Sequence, residues 1–149
     1  MNPARSQYCT FSVAGDLYGV PVSHVSEVLL GGELTPIPLA PPRVSGLLNL
    51  RGEVITAVDL HWLLTGQRGQ SGATDEAAHV VVEADGERFA LAVDRVHDVI
   101  DAKGAQHAPP PGPVRQKFPD IVGELLTCGD TLLTTLRVEA LAVTEEIVP

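Results

Sequence analysis

Aromatic side chains are scarce: three Phe, two Tyr and one Trp make up 4% of the 149 residues. A packed interior must therefore come from Val, Leu, Ile and Ala, within a hydrophobic share of 44%. That length suits one domain with a real core. Bases are few as well, 10 Lys and Arg against 19 Asp and Glu, for a formal charge of −9. Such a chain lacks the basic face that displaces counterions, so no nucleic-acid partner is expected. No apolar run approaches the roughly 20 residues of a membrane-spanning helix, and MNPARSQYCTF holds no secretory core. A cytoplasmic protein without direct membrane contact is expected. Cysteine occurs only at Cys9 and Cys128, both in strand-like segments, and reads as reduced thiol.

Catalytic signatures are missing too. His24, His61, His79, His97 and His107 include no HExxH or HxH pair, and there is no GxSxG elbow, phosphate loop or GxGxxG. Gly66, Gly69 and Gly72 stand among polar residues in a segment, 66–78, that reads as a mobile loop. Asp59 reads as the N-cap of the turn LHWLL rather than as a catalytic acid. Trp62, flanked by apolar residues, is expected to be packed. Neither catalysis nor a metal nor a cofactor is expected.

What the chain does have is Val44–Leu64, VSGLLNLRGEVITAVDLHWLL. Gly46–Leu50 and Glu53–Asp59 read as two strands around a turn at Arg51-Gly52, with Val54, Thr56 and Val58 on one face and Ile55 and Ala57 on the other. Glycine admits the positive φ that such turns need. The arginine at the tip is the odd residue. Upstream, Gln7–Val13 and Leu17–Val20 read as a hairpin. Ser23 then offers a cap for a helix of about two turns carrying Val22, Val25, Val28 and Leu29. Its outward side is expected to be an interaction surface with Val25 exposed, the alternative being that all four are core. Glu33–Arg43, with four prolines, reads as an extended, edge-like connection.

The pattern then recurs. ADGERFALAVDRVHDVI aligns without a gap onto VAGDLYGVPVSHVSEVL at an offset of 71, placing Phe89 on Tyr18, Asp98 on Glu27 and the cap Asp94 on Ser23. A second proline-rich connection, 101–117, leads to IVGELLTCGDTLLTTLRVEAL, an echo of the central hairpin with Gly123 at Gly46 and Gly129 at Gly52. Either a small β unit is duplicated or two valine-rich strands coincide by chance; matched caps, acids and glycines favour duplication. In this alignment Cys128 takes the place of Arg51, so the unit folds without the arginine. That leaves it an intramolecular bridge, with Glu27 as partner, or a contact to another protein.

YGVPVSHVSEVL, VSGLLNLRGEVITAVDL and FALAVDRVHDVI, in that order, resemble the CheW-like chemotaxis coupling domain from about Tyr8 to Thr144. The resemblance implies a mainly β fold: two packed SH3-like five-stranded β-barrels with short helices, internally duplicated. A single domain over 7–145 is expected, with approximate subdomains 14–78 and 79–145 and terminal strands open to exchange. It further implies a non-catalytic adaptor joining the cytoplasmic tips of methyl-accepting chemoreceptors to the regulatory domain of a histidine kinase. Carried over by position, the partner-binding residues are Val25, Glu27, Arg51 and Val80. His61 stands where the family commonly has arginine, and Ser26 where a longer polar residue is usual. These departures define an alternative: an accessory protein that binds receptors without the kinase, or one serving a non-flagellar chemosensory pathway. A small-ligand-binding double barrel is a distant third reading, disfavoured by the few aromatic residues.

Overall fold

A computed structural model describes residues 6–67, 77–110 and 119–142. It is built of twelve strands: β1 (Gln7–Val13), β2 (Asp16–Pro21), β3 (Val25–Leu30), β4 (Leu34–Thr35), β5 (Val44–Leu50), β6 (Glu53–Asp59), β7 (Ala78–Ala84), β8 (Glu87–Val93), β9 (Arg95–Asp101), β10 (Gln106–Ala108), β11 (Val122–Cys128) and β12 (Thr131–Leu136). Two short helices follow the second hairpins, α1 (Leu60–Thr65) and α2 (Val138–Leu141). The loop expected at 66–78 lies largely outside the described residues, as does the second proline-rich connection from 111 to 117; its first part, 101–110, is described and contains β10.

The strands form two sheets, ordered β3-β7-β8-β6-β5-β4 and β10-β11-β12-β2-β1-β9. Each has five long strands and one short edge strand, β4 or β10, and fits an SH3-like barrel. The strand orders are equivalent. β7–β8 stands for β1–β2, β3 for β9, and the parallel pair β6–β8 for β12–β2. Thr56 faces Phe89 as Thr134 faces Tyr18, so the duplication extends to residue register. The sheets draw on 25–93 and on 7–21 with 95–136, so the chain starts in the second barrel, builds the first, and returns. The halves 14–78 and 79–145 do not follow sheet membership, because β7 and β8 complete the first sheet.

Packing explains the exchange. Phe11, Val13 and Val20 of the hairpin β1–β2 share one core with Val80, Val82 and Leu91 of β7–β8. The equivalent hairpins thus meet in the middle. β7 is buried on both faces, since Val81 between them joins a second cluster, the interior of the first barrel: Leu48, Leu50, Ile55, Ala57 and Ala90. A fully buried valine contributes about 1.5–3 kcal/mol, so the sequence HVVVE commits this strand to the centre of the molecule. Gly19 fills Ala90's place in the second barrel, where an added Cβ would lie 2.9 Å from Leu133.

The helix expected from Ser23 to Leu30 is absent. Val22–His24 is a single 3-10 turn with no side-chain cap, and Val25–Leu30 is strand β3, paired with β7. The same holds for its repeat, where Asp94 accepts a hydrogen bond from the Ala14 amide at 2.8 Å instead of capping a helix. Valines three apart imitate a helical stripe, but here β-branched residues satisfy their backbone groups across a ladder. The cap at Asp59 does form: its Oδ1 accepts from the Trp62 amide at 3.0 Å, and Gly66 closes the helix at φ 83°.

Candidate partner-binding surface

Four charged residues meet on the first barrel. Glu27 lies on β3, Arg88 on β8, Glu53 at the start of β6, and Arg51 in the turn before it. Arg51 Nη2 is 3.4 Å from Glu27 Oε2. Arg88 reaches both acids, with Nη1 3.2 Å from Glu53 Oε1 and Nη2 3.9 Å from Glu27 Oε1. Strand periodicity places the group. Glu27, Arg88 and Glu53 are each two residues before Leu29, Ala90 and Ile55, which pack in the barrel interior. The charges therefore lie over one end of that interior, the acids and bases equal in number.

Arg51 is the outermost member. Its side chain is 80% exposed, against 21% for Glu27. Its backbone has φ 53° and Gly52 has φ 86°, a two-residue hairpin turn with positive φ at both positions. Glycine, asparagine or aspartate suits the first of these; an arginine there is strained. Asn49 completes the turn by accepting from the Gly52 amide at 3.1 Å. The other hairpin corrects the sequence alignment by one residue. Leu50 pairs with Glu53 and Cys128 with Thr131, so Arg51 corresponds to Gly129 and Gly52 to Asp130.

The remaining sequence-derived residues divide. Val25 is half-buried and packs on the shared core, so it is not the exposed member of its segment. Val28 and Leu30 are, the latter 77% exposed. Val80 is 0% exposed within the shared core, which removes it as a direct contact. Sequence reasoning missed Arg88 and Glu53. A signal for Arg88 existed: in the repeat a charged residue falls where Leu17 stands. Val54 and Leu132 were missed as well; they occupy equivalent strand positions and are both exposed.

Among the described residues no group of three or more His, Cys, Asp or Glu could hold a metal ion. Cys9 and Cys128 are free, and burial pushes the Cys9 thiol above its ordinary value, away from the reactive thiolate. Among the described residues no helix is long and apolar enough to cross a membrane. Fold and site together define an interaction module of two SH3-like barrels. The family model of the CheW-like domain matches residues 7–146, and the chain belongs to that family. It is 26% identical over 149 residues to the chemotaxis protein CheW of Treponema pallidum, covering 99% of this chain and 88% of that one. With the Klebsiella aerogenes chemotaxis protein CheW it shares 28% over 142 residues, 95% and 84% of the two chains. The crystal structure of the scaffolding protein TtCheW from Thermoanaerobacter tengcongensis superposes with a TM-score of 0.75 at 30% identity, covering 90% of each chain.

Proposed function

We propose that this chain is a non-catalytic adaptor that couples the cytoplasmic tips of chemoreceptors to the regulatory domain of a chemotaxis-type histidine kinase. It would act in the cytoplasm and reach the membrane only through its partners. Family membership supports the reading, and one observation of this chain carries it. Arg51 is mostly exposed and stands in a backbone conformation that disfavours it, while the equivalent turn has glycine. A strained exposed residue that folding does not need is a candidate for binding. Glu27 and Arg51 form the contact surface, with the exposed Val54 beside the turn as its apolar part.

Titration of the full chain against purified receptor tips and, separately, against a kinase regulatory domain tests this. Binding to both supports the coupling role, and binding to neither contradicts it. Binding to receptor alone would favour the accessory reading.

A further inference from the structure

Arg88 is the least expected member of the charged group. It lies on β8, where every residue after it, Phe89 to Val93, is apolar and the centre is buried. In the second barrel the equivalent position is Leu17, fixed by register because Ser12 pairs with Leu17 as Glu83 pairs with Arg88. Glu53 likewise corresponds to Thr131 and Arg51 to Gly129. Of the four, only Glu27 has a counterpart of like charge, Asp98 on β9. A barrel of this design therefore closes without Arg88, which acts on something specific to the first barrel.

Its geometry shows what. The half-buried guanidinium stands between two carboxylates and takes Glu27 by the oxygen that Arg51 does not use. Without Arg88, Glu27 and Glu53 would be two acids at one barrel end, and Glu27 would be free to turn away. Arg51, on a long flexible stem, would then lose the one acid that orients it. We propose that Arg88 is a positioning residue: it holds Glu27 in place and, through Glu27, presents the Arg51 guanidinium to the partner. This rests on the reading of the Arg51 surface as a binding site.

The test is a double-mutant cycle on the full chain, titrated with receptor tips and kinase regulatory domain. For the partner that Arg51→Ala weakens, Arg88→Leu is expected to weaken binding roughly three- to tenfold. In the Arg51→Ala background the same change should add less than about twofold. Arg88→Lys, which keeps the charge, should recover most of the affinity. Equal losses in both backgrounds, or no loss, overturn the proposal. Thermal melts check that the variants fold, and Arg88→Gln replaces Arg88→Leu if the latter does not.

A second readout separates this claim from the functional reading. The Arg51 Nε–H resonance of the free protein should shift and narrow when Arg88 becomes Leu, as the Glu27 contact is lost. An unchanged resonance overturns the positioning role. If Arg51→Ala alters neither affinity, the binding reading and the role in presentation both fall, while the resonance still decides whether Arg88 holds the pair.

Discussion

Arg51 occupies, in the first barrel, the turn position that Gly129 occupies in the second. Both have positive φ, 53° and 60°, but only glycine adopts that conformation without a steric penalty. Arg51→Asn would give the Asn-Gly pair this turn prefers and lose one exposed bridge worth about 0.2–1 kcal/mol. The variant should be as stable as the parent or up to about 1 kcal/mol more stable, while binding its partner less well. Denaturant unfolding beside a titration measures both. A clear loss of stability would show that the bridge outweighs the strain.

A second prediction concerns Gly46. Its φ is 153°, and an added Cβ would stand 2.7 Å from the Thr35 carbonyl oxygen across the ladder β4–β5. Gly46→Ala should cost about 1–3 kcal/mol, through strain and displacement of the short edge strand. Hydrogen exchange should show β4 opening first. Unchanged protection and stability would refute the close approach.

Val80→Ala separates core from surface. Two methylene equivalents and a cavity in a fully buried site cost about 2–3 kcal/mol. Partner affinity, corrected for the folded fraction, should be unchanged. A selective affinity loss with full stability would return Val80 to the binding surface.

His79 gives a pH dependence. It is 6% exposed, its Nδ1–H donates to the Gly31 carbonyl at 2.7 Å, and its Nε2 is buried without a partner among the described residues. Burial lowers its pKa below the ordinary 6.5, with the Gly31 bond opposing in part. Below 6.5 the unfolded chain takes a proton that the folded chain refuses. The contribution is therefore complete above 6.5 and is lost as the pH falls from there toward the folded value. Relative to His79→Asn, the parent should lose up to about 1.4 kcal/mol per pH unit in that window. A flat difference between the two would contradict the assignment.

Much of this was legible in the sequence because it is written in local chemistry. The turn glycines, the Asp59 cap and the alternation of Ile55 and Ala57 act through neighbours in the chain, and the repeat exposed the duplicated unit. Three features depended on distant pairing. β3 resembled a helix because Val22, Val25 and Val28 stand three apart, whereas in the strand Val25 is half-buried and Val28 exposed, on opposite faces of the pleat, and the ladder to β7 shifts register between Val25 and Glu27. Val80 was carried over by its position in the family, although the run HVVVE around it suits a strand covered on both faces. The two turns were aligned by their glycines, yet the first has positive φ at both positions and the second only at Gly129. Arg51 stood out in the sequence as a charge at a hairpin tip, with Glu27 as its candidate bridge partner, and the family resemblance added the expectation that both bind partners. Arg88 was passed over although the repeat sets it opposite Leu17, since its contacts to Glu27 and Glu53 exist only once β3, β8 and β6 are joined in one sheet.

The central claim is that Arg51 serves binding and not folding. Its direct test is titration of Arg51→Ala against receptor tips and kinase regulatory domain, beside a thermal melt. The account predicts at least roughly tenfold weaker binding to one partner, about 1.4 kcal/mol, with the melting temperature shifted by only a few degrees. Unchanged affinity for both partners would contradict it.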